Sequence, residues 1–306
     1  MLGNWRNISA AVFDSDLWYS FRSTPLTVIA ALVGLTMIVA ALLAHWISPY
    51  NPFSAPDLMN GFIPPLWEEG GTSSFLLGTD DQGRDILSLV LYGMQISLLV
   101  GFAAVLLSAV LGSCLGLVGG FFGGKVDAFI MRLADVQLSF PSILVALLID
   151  GVVSASFGRH MQESLALPVL ILAIGLSDWA QYARTVRAST MVERRREYVL
   201  AARIMHVSSI AILFRHILPN ILGPVFVIGT LGLAHAIIAE ATLSYLGVGL
   251  PPTQPSLGTL IRIGNDYLYS GEWWMAAFPA ATLILLSLSV NIVGDWLRDA
   301  LNPRLH

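Results

Sequence analysis

The chain has 306 residues, of which 56% are hydrophobic and only 12% are charged, and its mean hydropathy is +0.73. Soluble domains usually carry about 25% charged residues, so the composition excludes an ordinary soluble enzyme and indicates a membrane protein. The formal net charge is −4, and no polar stretch is long enough for a separate catalytic domain. The single cysteine, Cys114, excludes a disulfide framework within the chain.

The N-terminal part of the chain contains one predicted span between two polar segments. Residues 1–25 mix aromatic and charged side chains, which predicts a cytoplasmic amphipathic helix on the membrane surface. Residues 26–47 are too long for a signal-peptide core and lack a clear cleavage site, so we expect a first transmembrane helix there. Residues 48–92 are rich in Pro, Gly and acidic residues and predict a periplasmic loop or lobe, named here the first outer loop.

Residues 93–297 are the predicted five-helix transmembrane core. Each of its five apolar runs is near the ~20 residues that are needed to cross a bilayer. The predicted spans cover residues 93–119, 130–152, 165–183, 221–247 and 273–294. Residues 189–219, named here the charged loop, precede the fifth of the six spans, and residues 250–272 form a second outer loop. A short charged tail, 298–306, ends the chain.

The distribution of cations predicts the orientation in the membrane. With both termini placed in the cytoplasm, three of the 16 Lys and Arg residues fall outside, and the other 13 fall inside. The three are Arg84, Arg159 and Arg262. This asymmetry obeys the positive-inside rule and places the charged loop in the cytoplasm.

The charged loop is the only long charged island in an otherwise apolar sequence, and it predicts two short helices. The first covers roughly residues 192–205. Either Ser208 or Ser209 is suited to cap the second helix, because a hydroxyl oxygen can accept from a free backbone N–H. Pro219 predicts a kink or boundary before the next apolar run.

The charged loop resembles the EAA loop of ABC-importer permeases, which is the docking element for an ATPase subunit. The family pattern is roughly E-A-A, three residues, G, nine residues and I-x-L-P; this chain has Leu-Ala-Ala at 200–202, His206, and His-Ile-Leu-Pro at 216–219. We expect Glu197 to replace the acidic contact, and His206 to form the turn, since His tolerates left-handed backbone better than most residues. The docking helix that the resemblance implies comprises Glu193, Glu197, Ala201, Ala202, Arg203, Met205 and His206.

The first outer loop contains a second motif, residues 77–88, LGTDDQGRDILS. We expect Thr79 or Asp80 to cap a helix that starts near Gln82, and Arg84 to pair with a nearby carboxylate. The alternative role for this motif is contact with a ligand. The segment resembles the GTD-x-x-GRD signature of the peptide and nickel permease group, with Leu89 where the group has Arg. Residues 67–71, WEEGG, are similar to the dipeptide-transporter branch, and residues 249–260 and 295–304 are similar to later family motifs.

Three ionisable residues in apolar runs, Glu240, His235 and Asp178, are candidates for a translocation path. Intramembrane carboxylates are costly and usually face a bundle interior or a water-filled path. For Glu240 the alternative is a buried structural hydrogen bond, and for Asp178 it is an interfacial position near the end of a span. His235 lies five residues before Glu240 and so occupies a different helical face.

Two glycine-rich patterns favour packing over nucleotide binding. Gly112, Gly116, Gly120 and Gly124 recur every four residues and predict a face for close helix packing. Residues 119–125 spell G-x-x-x-x-G-K, but Val126 stands where a phosphate loop needs Ser or Thr, and the segment follows a membrane span. We therefore expect any nucleotide to be bound by a partner protein. No metal-ligand spacing is apparent among the histidines.

Together, the resemblances imply an all-α membrane protein with six transmembrane helices, the type I ABC importer permease fold and a cytoplasmic coupling helix. The implied group is the dipeptide, oligopeptide and nickel permeases, C type, of the bacterial inner membrane. The implied partners are a second homologous permease subunit, two ABC ATPases that hold ATP and Mg²⁺, a periplasmic substrate-binding protein and the lipid bilayer. Neither a cofactor in this chain nor a nucleic acid is implied.

The resemblance leaves the cargo and one rival mechanism open. The implied function is peptide import by alternating access, while glutathione, nickel chelates and some sugars are also carried within the group. The rival is an ion-coupled secondary transporter that acts without an ATPase, for which broken helices should repeat in two halves. A hydrolase is disfavoured, because neither G-x-S-x-G nor H-E-x-x-H occurs.

Overall fold

A computed structural model describes residues 16–53, 57–156 and 159–300. Within these ranges the regular secondary structure is helical, apart from one isolated β-bridge between Thr79 and Asp85. Two short 3₁₀ turns, Leu58–Asn60 and Leu268–Ser270, lie in the outer loops. The α-helices are α1 (Asp16–Ser23), α2 (Pro25–Leu42), α3 (Ala44–Ile47), α4 (Ile86–Phe122), α5 (Gly124–Leu138), α6 (Ser142–Ser156), α7 (Arg159–Glu193), α8 (Glu197–Ile204), α9 (Ser209–Ala211), α10 (Leu218–Tyr245), α11 (Leu257–Tyr267) and α12 (Trp274–Ala300).

Five segments in the described ranges are long and apolar enough to cross a membrane. They are α2, α4, residues 165–193 of α7, the run from α9 through α10, and α12. Helices α5 and α6 pass the same test together, but they meet at an angle of 93°. The third span, predicted over residues 130–152, is therefore interrupted by a sharp bend. Pro141 explains the break, because it disfavours helical backbone at the preceding residue.

The other predicted boundaries shift for local reasons. The first span ends at Leu42, and α3 continues the apolar run to Ile47. The second span begins at Ile86 instead of residue 93, since the Asp85 carboxylate accepts from the Ser88 N–H at 2.8 Å and caps the helix. The predicted cap at Thr79 or Asp80 is wrong for this reason. Residues 1–15 of the predicted surface helix and 301–306 of the tail lie outside the described residues.

Three of the four spaced glycines pack α4 against α7. A Cβ atom added at Gly116 would lie 2.5 Å from the Ala183 carbonyl oxygen, and additions at Gly112 and Gly120 would meet α7 just as closely. The two backbones therefore approach each other along a face that admits only glycine. Gly124 does not belong to this face, because a Cβ there would meet nothing within 4 Å.

Residues 77–88 fasten the first outer loop to the second. The Arg84 and Asp80 side chains form a buried ion pair at 2.7 Å, and the Arg84 guanidinium also donates to the Pro252 carbonyl at 3.1 Å. The Thr79 hydroxyl donates to the Asn60 carbonyl, and the Thr79 carbonyl accepts from the Trp274 indole at 3.1 Å. The prediction that Arg84 pairs with a carboxylate is confirmed, and the motif acts as a structural tie.

Candidate functional site

The charged loop folds as a hairpin between α7 and the helical run that begins with α9. Helix α7 ends at Glu193, and a turn precedes α8, so the helix predicted from residue 192 begins five residues later. The Ser208 hydroxyl oxygen accepts from the Ala211 N–H at 3.3 Å and caps α9, as the sequence predicts. The second helix is not separate, since a π-helical segment, Ile212–Ile217, joins α9 to α10.

His206 closes α8 with a left-handed turn. Its φ is 57°, and its N–H donates to the Arg203 carbonyl, while the Val207 N–H donates to the Ala202 carbonyl at 3.1 Å. These two bonds form the Schellman arrangement, which usually places glycine at this position. The turn that the sequence predicts at His206 is therefore present, although the residue carries a side chain.

Helix α8 has one buried face and one exposed face. Val199 and Ala202 are fully buried and pack with Leu117, Phe121 and Ile212 of neighbouring elements. Ala202 therefore seats α8 on the permease and does not belong to the exposed face. That face is formed by Glu197, Leu200, Ala201, Ile204 and Met205. Ile204 and Met205 are 78% and 69% exposed, and an exposed apolar patch of this kind marks an interaction site.

Polar contacts hold the hairpin against the end of α4. The Arg194 guanidinium donates to the carbonyls of Gly120 and Phe121, at 2.8 and 3.2 Å. The last carbonyls of a helix such as α4 have no N–H partner within the helix. The Arg203 guanidinium lies 5.0 Å from the centre of the Phe121 ring. The Glu193 carboxylate accepts from the Tyr198 hydroxyl at 2.6 Å. These contacts tie the hairpin directly to α4 and α7.

The structure brings two of the three path candidates together and separates the third. The His235 Nδ1 lies 3.3 Å from an Asp178 carboxylate oxygen, across the contact between α10 and α7. Asp178 lies near the middle of the apolar segment formed by residues 165–193 of α7. Glu240 is fully buried, and its carboxylate accepts from the hydroxyls of Ser97 and Ser244 at 2.6 and 2.8 Å. Of the two alternatives for Glu240, the structure supports the buried hydrogen bond.

A cavity of about 300 Å³ opens beside the Asp178–His235 pair, between α4, α7 and α10. Gln181 and Tyr182 also line it, and sequence reasoning missed both. The available signal was spacing, because residues 178, 181 and 182 share one helical face. Among the described residues, no group of three or more His, Cys, Asp and Glu is arranged to hold a metal ion.

Comparison with known proteins agrees with this architecture. Residues 112–306 match the family described as binding-protein-dependent transport system inner membrane component, and residues 15–65 match the N-terminal TM domain of oligopeptide transport permease C. A chain of the MetNI methionine ABC transporter, solved in inward-facing conformations, has a TM-score of 0.55. It is 19% identical, and the match covers 71% of this chain and 98% of that chain.

Curated relatives match almost the whole chain. The dipeptide transport system permease protein DppC of Haemophilus influenzae is 35% identical, over 95% of this chain and 94% of its own length. The di/tripeptide transport system permease protein DppC of Pseudomonas aeruginosa is 36% identical, over 95% and 92%. The dipeptide transport system permease protein DppC of Escherichia coli K12 is 39% identical, over 95% and 93%.

The family match and the curated relatives place the chain in the class of ABC-importer permease subunits, and the bundle of membrane helices agrees with it. Within that class, the chain belongs to the binding-protein-dependent transport permeases, in the C-type dipeptide and oligopeptide branch. It is an inner-membrane transport subunit and not an enzyme, since separate ATPase subunits of the importer hydrolyse ATP. ATPase and substrate-binding partners are implied, and the secondary-transporter alternative is disfavoured.

Proposed function

We propose that this chain moves di- or oligopeptides across the bacterial inner membrane as one half of a heterodimeric permease. The peptide cargo is supported by relatives that are named dipeptide or di/tripeptide permeases and match 95% of the chain. The pathway lies between this subunit and a second, homologous permease. Two ATPases bind on the cytoplasmic side, where both chain termini also lie, and a periplasmic binding protein delivers the cargo.

The observation that carries this proposal is the two-faced helix α8. Its inner face is locked into the bundle by Val199 and Ala202, and its outer face presents Ala201 among exposed apolar side chains. A small residue such as alanine allows a partner surface to approach closely. The exposed face is therefore suited to a protein surface, while the buried face is suited to transmit motion into the spans.

Alternating access follows from this linkage. ATP binding closes the two ATPases and moves α8, and the rigid contacts of Arg194 and Arg203 carry the movement to the end of α4. The spans then change from an inward-open to an outward-open arrangement. Nucleotide shifts this equilibrium because the ATPase pair binds one arrangement of the two α8 hairpins better than the other.

Substitution of Ala201 tests the proposed docking. We predict that Ala201→Arg lowers ATPase co-purification and ATP-driven dipeptide uptake by at least about tenfold, because a large charged side chain would separate the docked surfaces. Both are measured on the complex, the uptake in proteoliposomes with the binding protein. The matched control is Met59→Arg, which places the same side chain on a 93% exposed residue of the first outer loop and should retain the ATPase. Normal uptake by Ala201→Arg would refute the docking role.

A further inference from the structure

The cavity between α4, α7 and α10 has an unusual lining for a membrane-embedded site. Asp178, Gln181 and Tyr182 lie on one face of α7, and His235 faces them from α10. Its α4 wall is formed by Ala104, Val105 and Ser108, none of which titrates. The lining therefore contains one carboxylate, and neither lysine nor arginine.

The open side of this cavity does not suit a lipid environment. The His235 side chain is 54% exposed in the isolated subunit, and Gln181 is also exposed. Ionisable groups inside a membrane face the protein interior or a water-filled path, since contact with lipid is costly. An opening toward a water-filled path would avoid this cost.

The Tyr182 hydroxyl is the second sign of a ligand. Tyr182 is only 3% exposed, and its hydroxyl has no hydrogen-bond partner among the described residues. It lies against Gly232, where an added Cβ would come within 2.8 Å of the hydroxyl oxygen. A buried hydroxyl normally has a partner, and leaving one without costs on the order of 1–3 kcal/mol. A ligand in the cavity would supply that partner.

The acceptor groups identify the chemistry of the ligand. The His235 Nδ1 can donate across the 3.3 Å contact with Asp178 in its neutral tautomer, and in that form the negative charge of the carboxylate stays unbalanced. The other carboxylate oxygen, the Tyr182 hydroxyl oxygen and the Gln181 amide oxygen are acceptors around the same space. A primary ammonium has three N–H donors and one positive charge, which matches this set. A volume of about 300 Å³ suits the end of a peptide.

We infer that this cavity binds the terminal ammonium group of a peptide in transit, through the Asp178 carboxylate and the Tyr182 hydroxyl. The inference rests on the proposed peptide function and adds a contact site for the cargo within this subunit. His235 is a positioning residue, because it holds the carboxylate in place from the opposite helix. Release follows when the spans move apart and separate α7 from α10.

A reporter thiol in the cavity tests this site in the assembled importer without its binding protein. Cys114→Ser removes the native thiol, and Ile228→Cys places a new one on the α10 wall while leaving the polar groups intact. The rate of modification by a neutral thiol reagent is read on this chain by mass spectrometry. The probes are glycylglycine, its N-acetyl derivative and its C-terminal amide.

The expected result is protection by the two probes that keep a free ammonium, and none by the N-acetyl derivative. Asp178→Asn should raise the half-protecting concentration by at least about tenfold, and Tyr182→Phe by about fivefold, since charged hydrogen bonds are the stronger. A purely structural Tyr182 would give no change in Tyr182→Phe, because the hydroxyl has no partner in the described chain. Ser108→Ala is the matched control, since the Ser108 hydroxyl already donates to the Ala104 and Gly175 carbonyls.

Equal protection by the N-acetyl derivative, protection lost only with the C-terminal amide, or no protection at all would overturn the inference. So would unchanged protection in both Asp178→Asn and Tyr182→Phe. Dipeptide uptake by the unsubstituted importer with its binding protein is measured in parallel. If uptake occurs without protection, only the cavity assignment fails; if no peptide is taken up, the proposed function itself fails.

Discussion

At the scale of single residues, Asp85 shows how a buried carboxylate serves the fold at an energetic cost. Its carboxylate accepts from the Ser88 N–H and hydroxyl, at 2.8 and 2.6 Å, and so caps α4. Burial raises the pKa of Asp85 above its ordinary value of 3.8, and the Ser88 bonds partly offset that rise. The folded state therefore holds this proton more tightly than the unfolded state. The contribution of this proton to the stability of the fold is fully present below pH 3.8 and is lost as pH rises through the raised pKa.

We predict that Asp85→Asn removes this part of the pH dependence, because the amide oxygen still caps α4 and carries no charge. As pH rises above 3.8, the thermal unfolding midpoint of the purified complex should fall less in Asp85→Asn than in the unsubstituted protein. Asp85→Ala is the control: it also lacks the titrating carboxyl but loses the cap, so it should be less stable than Asp85→Asn by about 1 kcal/mol at every pH. An unchanged pH profile in Asp85→Asn would show that other groups set the dependence.

His206 gives a second prediction at this scale. Its left-handed backbone is costly for a residue with a side chain, so His206→Gly should stabilise the charged loop, while the β-branched His206→Val should destabilise it by about 1–2 kcal/mol. Hydrogen exchange at the Val207 amide, which donates to the Ala202 carbonyl, reports the change. Slower exchange in His206→Val than in His206→Gly would contradict the account.

At the scale of elements, the contact between α4 and α7 is set by glycine spacing that is visible in the sequence. The spacing predicts the packing face but not where that face ends, because Gly124 lies beyond the end of α4 and has a φ of 57°. The break between α5 and α6 has a visible cause in Pro141, yet hydropathy alone predicts one continuous span. The fusion of α9 with α10 depends on the π-helical segment, which has no clear sequence signal.

Substitution of one methyl group tests the glycine contact. Gly116→Ala should destabilise the subunit by about 1–3 kcal/mol, since the new Cβ would meet a backbone oxygen that cannot easily move. Gly151→Ala is the matched control in α6, where an added Cβ meets nothing within 4 Å. That change should be neutral or stabilising by up to about 1 kcal/mol. Equal unfolding midpoints for the two variants would disprove close packing at Gly116.

At the scale of the whole molecule, composition and cation asymmetry predict a multi-pass membrane protein, and its family resemblance is confirmed by relatives along almost the whole chain. The pairing of Asp178 with His235 was not predictable, because the two residues lie on separate helices whose facing surfaces depend on packing. The same holds for the inward face of Ala202, which the sequence groups with Ala201. Long-range contacts therefore decide which candidate residues form a site.

The central claim is that an ATPase binds the exposed face of α8 and moves the spans through it. Photo-crosslinking in the intact importer tests this most directly, with a photoreactive amino acid in place of Ala201 and, as a control, in place of Met59. The account predicts adducts with an ATPase subunit from Ala201→photoreactive residue and none from the Met59 control. Adducts from Ala201 with the periplasmic binding protein, or with lipid and no ATPase, would contradict it.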